Sequence, residues 1–346
     1  MQERVKSSVR VLFRTYKGTD YATWLRGMAA LGVLTIHYGG LGLREFFPQG
    51  SWFSKILNNL VDFGGQGPTI FFVASGYVLQ KYSYNQLPIR KLFLTRYFRL
   101  APAYILVLFL AALSNGSLEQ LSLSMLVKKA LFLDIFFSDA YAFNPIGIGY
   151  FVVVEFWLTT FLLLGPVMFS RTELRSQARV IGILVMSFLI SYFSTDLALL
   201  LDIQTFHFDV LKYQFFFLLG MACTRWRMNS FIKLPARLIA VLSLVVALNI
   251  DKYLGYVAAV FAIAMLLSEN ESGSLIPFGK LPIFLGNVCY SIYLSHIPII
   301  VYFQLNFSQA PLVMVVFTVI LISTALFIVI ERPFIQLGKR LASRLH

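Results

Sequence analysis

The chain has 346 residues, of which 58% are hydrophobic and only 13% charged, with 34 phenylalanines and a mean hydropathy of +0.75. Those proportions exclude a soluble globular enzyme and a disordered chain, and indicate a polytopic membrane protein. A net charge of +13 and a pI near 9.7 would suit nucleic-acid binding, but the placement of the cations argues against it.

Runs apolar enough to span about 30 Å of hydrocarbon fall at 22–40, 60–80, 97–114, 150–169, 179–196, 208–224, 236–250, 253–268, 284–303 and 311–330. They predict an all-α bundle of about ten transmembrane helices. With the N-terminus inside, the basic residues of 1–26, 81–99, 171–179, 225–237, 269–283 and 331–346 outnumber those opposite (Arg44, Lys55, Lys128, Lys129 and Lys252) more than fourfold. The positive-inside rule then makes both termini cytoplasmic, and the basic charge is topology, with no nucleic acid expected. A single membrane domain over 1–346 is expected, with 1–20 a cytoplasmic segment lacking a removable-signal pattern and 332–346 a cytoplasmic tail. No repeat of fixed period is visible, which weakens a transporter built from duplicated halves.

The first run, YATWLRGMAALGVLTIHYGG at 21–40, carries Arg26 and His37. Eleven positions at about 100° each return to nearly the same helix face, roughly 16 Å further along. One stripe thus offers a cation at one depth and a titratable base at another, and charged groups inside a membrane normally face a bundle interior. Snorkelling of Arg26 and a hydrogen-bonded core role for His37 are the alternatives at this point.

In the second run, GGQGPTIFFVASGYVLQ, the glycines and Pro68 break or kink the helix start, while Ser75 and Gly76 admit a close neighbour or a narrow ligand arm. RKLFLTRYFRLAP then sets Arg96 and Arg99 three apart at a helix start on the inner surface, where they suit phosphates or serve as anchors. Within the outer segment 115–149, LVKKALFLDIFF predicts a short interfacial helix.

Glu155, in GYFVVVEFWLTTF, lies on an inward-running helix and so at the outer depth of His37, where a carboxylate would orient an imidazole. Near the end, GNVCYSIYLSHIPII holds Tyr290, Ser291, Tyr293 and His296 within an apolar run kinked by Pro298. Tyr290, Ser291 and His296 are candidate substrate-binding or structural positions. VIERPF places Glu331 and Arg332 at the inner boundary as a local ion pair or cap, with Pro333 ending the helix. His207 and His346 lie in a loop flank and at the terminus, with no chemistry assigned. The two cysteines, Cys223 and Cys289, lie in apolar stretches and imply neither disulfides nor a metal cluster, and no metal is expected.

Taken in order, WLRGMAALGVLTIHY, IFFVASGYVL, RYFRLAPAY, FVVVEFWL, CYSIYLSH and IERPF resemble the motifs of the acyltransferase 3 family of integral membrane O-acyltransferases, from about residue 20 to 337. The resemblance implies transfer of an acyl group, usually acetyl, from a cytoplasmic acyl-CoA to a hydroxyl of an extracytoplasmic acceptor. That acceptor is commonly a bacterial surface carbohydrate such as O-antigen, lipopolysaccharide or exopolysaccharide. The expected location is the bacterial cytoplasmic (inner) membrane. The family's motif residues carry over to Arg26 and His37, to Ser75, and to Arg96 with Arg99. Glu155 corresponds to a motif glutamate, with GYFVVV standing where the family often has Trp-x-Leu. The hydrolase-like domain of some relatives is not expected, and oligomeric state is left open, a homo-oligomer included.

Joined to the residue reading, this predicts Arg26, Ser75, Arg96 and Arg99 as the acetyl-CoA (acyl-CoA) site. His37 is the expected general base and Glu155 its orienting carboxylate. A transporter or flippase for a sugar, lipid or organic anion would use the same buried residues as substrate or proton sites, and a glycan-assembly scaffold is a third reading.

Overall fold

Backbone amides in hydrocarbon have no water to bond, so long apolar runs satisfy them internally as helices. The computed structural model describes residues 20–39, 50–83, 89–147, 149–163, 175–201, 209–224, 280–307 and 311–345, and among these no strand occurs. The predicted spans at 236–250 and 253–268 lie outside the described residues, as do His207 and His346.

The helices are α1 (Asp20–Leu34), α2 (Trp52–Gly64), α3 (Gly67–Val78), α4 (Ile89–Ser114), α5 (Leu123–Ala130) and α6 (Ser138–Ala142). They continue with α7 (Tyr150–Leu163), α8 (Arg175–Leu200), α9 (Asp209–Cys223), α10 (Lys280–Asn306), α11 (Leu312–Leu326) and α12 (Arg332–Ser343). A π-helical turn extends α1 over Thr35–Gly39, another follows α3 over Leu79–Ser83, and a third joins α11 to α12 over Phe327–Glu331. Three stretches, Arg90–Ser114, Lys280–Asn306 and Val313–Ser343, are long and apolar enough to cross a membrane. Tyr150–Thr160, Ile181–Ser194 and Val210–Cys223 are shorter apolar helices. On α11, Val313, Phe317 and Leu321 are exposed, a cost in water but the normal surface against lipid.

Small residues set how closely the helices approach. A methyl on Gly27 would meet the carbonyl of Pro282, and one on Gly286 the carbonyl of Thr23, so α1 and α10 touch backbone to backbone. Further along the pair, the rings of His37 and His296 are neighbours, so the two helices run parallel. Helix α3 runs parallel to α9, with Phe72 against Tyr213 and Gly76 against the Phe217 carbonyl. Helices α1 and α3 are antiparallel, with Arg26 at Ser75 and Val33 at Gly67.

Two details depart from the sequence reading. The run at 60–80 is two helices, because Gly65 and Gln66 interrupt it and Pro68 suits the first turn of a new helix. Pro333 does not end the last helix, because the π turn precedes it and Pro333 sits in the first turn of α12, where its missing N–H is not needed. The segment 332–343 is therefore helical, and α12 folds along α4 with Gly338 beneath Phe98. Within 115–149, α5 is a short helix where one was expected, capped by the Ser122 hydroxyl accepting from the Met125 N–H. There Lys129 is buried against Asp134. Lys128 donates to Asp139 at 2.6 Å, and that hydrogen bond holds the exposed carboxyl below its usual range.

Candidate active site

Arginines within apolar helices need partners, and the packing of α1, α3, α4, α7 and α10 supplies them. On α1, the Arg26 guanidinium donates through Nη2 to Ser75 Oγ on α3 at 3.1 Å and lies 5.3 Å from the Phe71 ring centre. On α4, Arg96 Nη1 stands 3.7 Å from Glu155 Oε1 of α7. One turn on, Arg99 Nε stands 3.9 Å from Glu331 Oε1. Ser291 Oγ of α10 donates to the other Glu331 oxygen at 2.8 Å, and the neighbouring Tyr290 hydroxyl donates to the Leu100 carbonyl at 2.6 Å.

These contacts form one buried polar layer of three guanidiniums and two carboxylates, one positive charge in excess. Both ion-pair separations exceed the 2.7–2.9 Å of a charge-assisted hydrogen bond. Arg26 Nε, Arg96 Nη1, Arg99 Nε and Glu155 Oε2 are buried without hydrogen-bond partners. Donors in surplus, held in a layer of net positive charge, are the equipment of a site for an anionic or strongly polar ligand.

A second feature lies further along α1. His37 sits in the π turn, exposed on one side, with its ring centre 5.3 Å from that of His296 on α10. His296 is fully buried, and its Nδ1 lies 3.0 Å from the Ile292 carbonyl and 2.9 Å from that of Tyr293. Carbonyls only accept, so Nδ1 carries the proton, and Nε2 is buried with no partner.

The sequence-predicted residues thus divide into two groups. Arg26, Ser75, Arg96, Arg99 and Glu155 meet in one layer, together with Tyr290 and Ser291, while His37 joins His296. The expected contact of Glu155 with His37 is not made. Two guanidiniums inside α4 require counter-ions, and Glu155 serves Arg96. The position of Arg96 and Arg99 at a helix start is corrected too. Helix α4 begins at Ile89, which carries both arginines into its second and third turns, and Arg96 is 7% exposed. Gly76 is filled by the backbone of α9, which leaves no width there for a ligand arm.

Glu331 is the residue that sequence reasoning undervalued. It is 1% exposed and anchors Arg99 and Ser291, so it is neither a surface cap nor a simple local pair with Arg332. The signal available was its position at the end of a long apolar run, in line with three unexplained arginines.

Residues 19–332 match the family model described as an acyltransferase domain, acyltransferase 3 type. The chain belongs to the acyltransferase 3 family. No curated protein and no solved structure matches it. The matched stretch runs from just before α1 to the first residue of α12, so every residue of the buried layer and both histidines of this membrane acyltransferase fall inside it.

Proposed function

We propose that this membrane acyltransferase takes an acetyl group from acetyl-CoA and transfers it to a hydroxyl of a cell-surface carbohydrate, such as O-antigen or an exopolysaccharide, at the bacterial inner membrane. The observation that carries the reading is the layout of α1. It holds Arg26 in a cationic layer with unpartnered donors, and His37 eleven positions on with one side of its ring open. The residues present suit the donor molecule, because its phosphates and amide-rich arm are acceptors for buried guanidinium N–H groups. Arg26, Arg96 and Arg99, with Ser75, bind and orient the donor, which supplies an activated carbonyl. His37 takes the proton from the incoming hydroxyl as that oxygen attacks, a role open to a neutral imidazole.

The test uses full-length protein. Surface glycans from cells producing it carry one additional acetyl group per modified sugar by mass spectrometry, and His37→Ala removes the increment while the protein stays folded in the membrane. Wild-type modification by that variant would overturn the assignment. Turnover of acetyl-CoA by purified protein in detergent, with no closed compartment, separates an enzyme from a transporter or flippase.

A further inference from the structure

We propose that His296 is the positioning residue for His37: its Nε2 accepts a hydrogen bond from the His37 ring N–H, the role the sequence suggested for Glu155. This rests on His37 being the base of the acyl transfer proposed above. With Nδ1–H committed to the Ile292 and Tyr293 carbonyls of its own helix, the His296 ring has a fixed tautomer. Nε2, on the far side of the ring, points away from those carbonyls with a free lone pair. A buried acceptor left unpaired is costly, so the site calls for a donor. The titratable groups facing that ring are His37 from the π turn of α1 and Tyr293 from its own helix.

The spacing suits the bond. Two imidazoles joined by an N–H···N hydrogen bond of about 2.9 Å stand about 5 Å apart between ring centres, because each nitrogen lies about 1 Å from its own centre. The observed separation is 5.3 Å at an interplanar angle of 49°, so a rotation of the exposed His37 ring closes the contact. The π turn over Thr35–Gly39 supports the same conclusion, since such turns re-aim a side chain relative to a regular helix and recur at functional sites.

With one His37 nitrogen donating to His296, the lone pair of the other faces the open side. There it takes the proton of the acceptor hydroxyl as the new C–O bond forms. The imidazolium is stabilised by its N–H bond to His296, and when the C–S bond breaks the departing thiolate receives the proton from His37. Both histidines return to neutral, and one proton has passed from hydroxyl to thiol.

The experiment uses the full-length protein in nanodiscs, labelled with ¹⁵N-histidine, and compares wild type with H296A and H296Q, with H37A serving for assignment. Only four histidines are present, so the spectra resolve by substitution. In wild type, His296 is expected as the neutral Nδ1–H tautomer. Replacement by alanine is expected to lower kcat about 10²-fold, at the lower end of acid–base effects, with KM for acetyl-CoA unchanged. The acid limb of the kcat profile and the His37 ¹⁵N titration should both move to lower pH, because the imidazolium loses its acceptor. Glutamine places an amide oxygen where it accepts without titrating, so H296Q should keep kcat within about tenfold of wild type. Equal losses in H296A and H296Q with the His37 titration unmoved, or wild-type kcat in H296A, would overturn the proposal. If wild type transfers no acyl group, the functional reading fails, and the His37 titration still decides whether the two rings are coupled.

Discussion

Replacing Glu331 by alanine removes the counter-ion of Arg99 and the acceptor of Ser291 in one step. Breaking a buried ion pair from one side costs about 3–5 kcal/mol. The Arg99 side chain keeps 24% exposure and the contact is 3.9 Å, which places the electrostatic part at the lower end, about 3 kcal/mol. The orphaned Ser291 hydroxyl adds about 1 kcal/mol. E331A is therefore expected to lose about 4 kcal/mol, and E331Q about 3 because its amide oxygen still accepts from Ser291. The double variant R99M/E331M has no buried charge left unpaired at this position, so it should lie within about 1–2 kcal/mol of wild type. Unfolding of the full-length protein by SDS in mixed micelles, run on these proteins and on the single variants R99M and E331M, yields the differences directly. An E331A protein within about 0.5 kcal/mol of wild type, or a double variant carrying the sum of its single losses, would refute the pairing.

The contact of α1 with α10 makes G27A and G286A costly: each methyl meets a main-chain carbonyl that cannot swing aside, so a loss of about 1–3 kcal/mol is expected, with reduced kcat because α1 carries both Arg26 and His37. Gly182 on α8 meets nothing within 4 Å, so G182A in the same unfolding assay should be neutral or stabilising by up to about 1 kcal/mol. Substituting K128M should raise the Asp139 titration to the ordinary carboxylate range, as read by carbon NMR. A depressed folded pKa contributes stability above the unfolded pKa and loses it as pH falls through the folded one, so the variant should show less stability change below about pH 4.

Composition and hydropathy made the helical membrane class legible, and the order of short motifs made the family legible. What the sequence could not supply was lateral packing. A count of residues along each helix assigns depth, but which face meets which neighbour depends on close backbone approaches such as Gly27 with Pro282 and Gly76 with Phe217. That is why Glu155, matched to His37 by depth alone, turns out to pair with Arg96. The same limit hid Glu331, which looks like a cap beside Arg332 until the π turn carries it into the bundle beside Arg99. His296 was readable only as a polar residue in an apolar run; its tautomer follows from two carbonyls of its own helix turn, and its partner from the parallel course of α1 and α10.

The separation of the two groups also bears on why so much charge is buried. Three guanidiniums and two carboxylates in a low-dielectric layer are an expensive way to hold helices together, since well-packed apolar side chains do as well or better. The layer is moreover incompletely satisfied, with three arginine nitrogens and one carboxylate oxygen lacking hydrogen-bond partners. A purely structural network would be selected toward closure of those bonds, whereas a binding layer must keep donors that a ligand completes. The carboxylates then have a distinct task. Held 3.7 and 3.9 Å from Arg96 Nη1 and Arg99 Nε, Glu155 and Glu331 offset charge without closing a hydrogen bond to either nitrogen. On the function proposed here, the excess charge of one in this layer would attract the anionic donor. The histidine pair lies further along α1, in and beside the π turn.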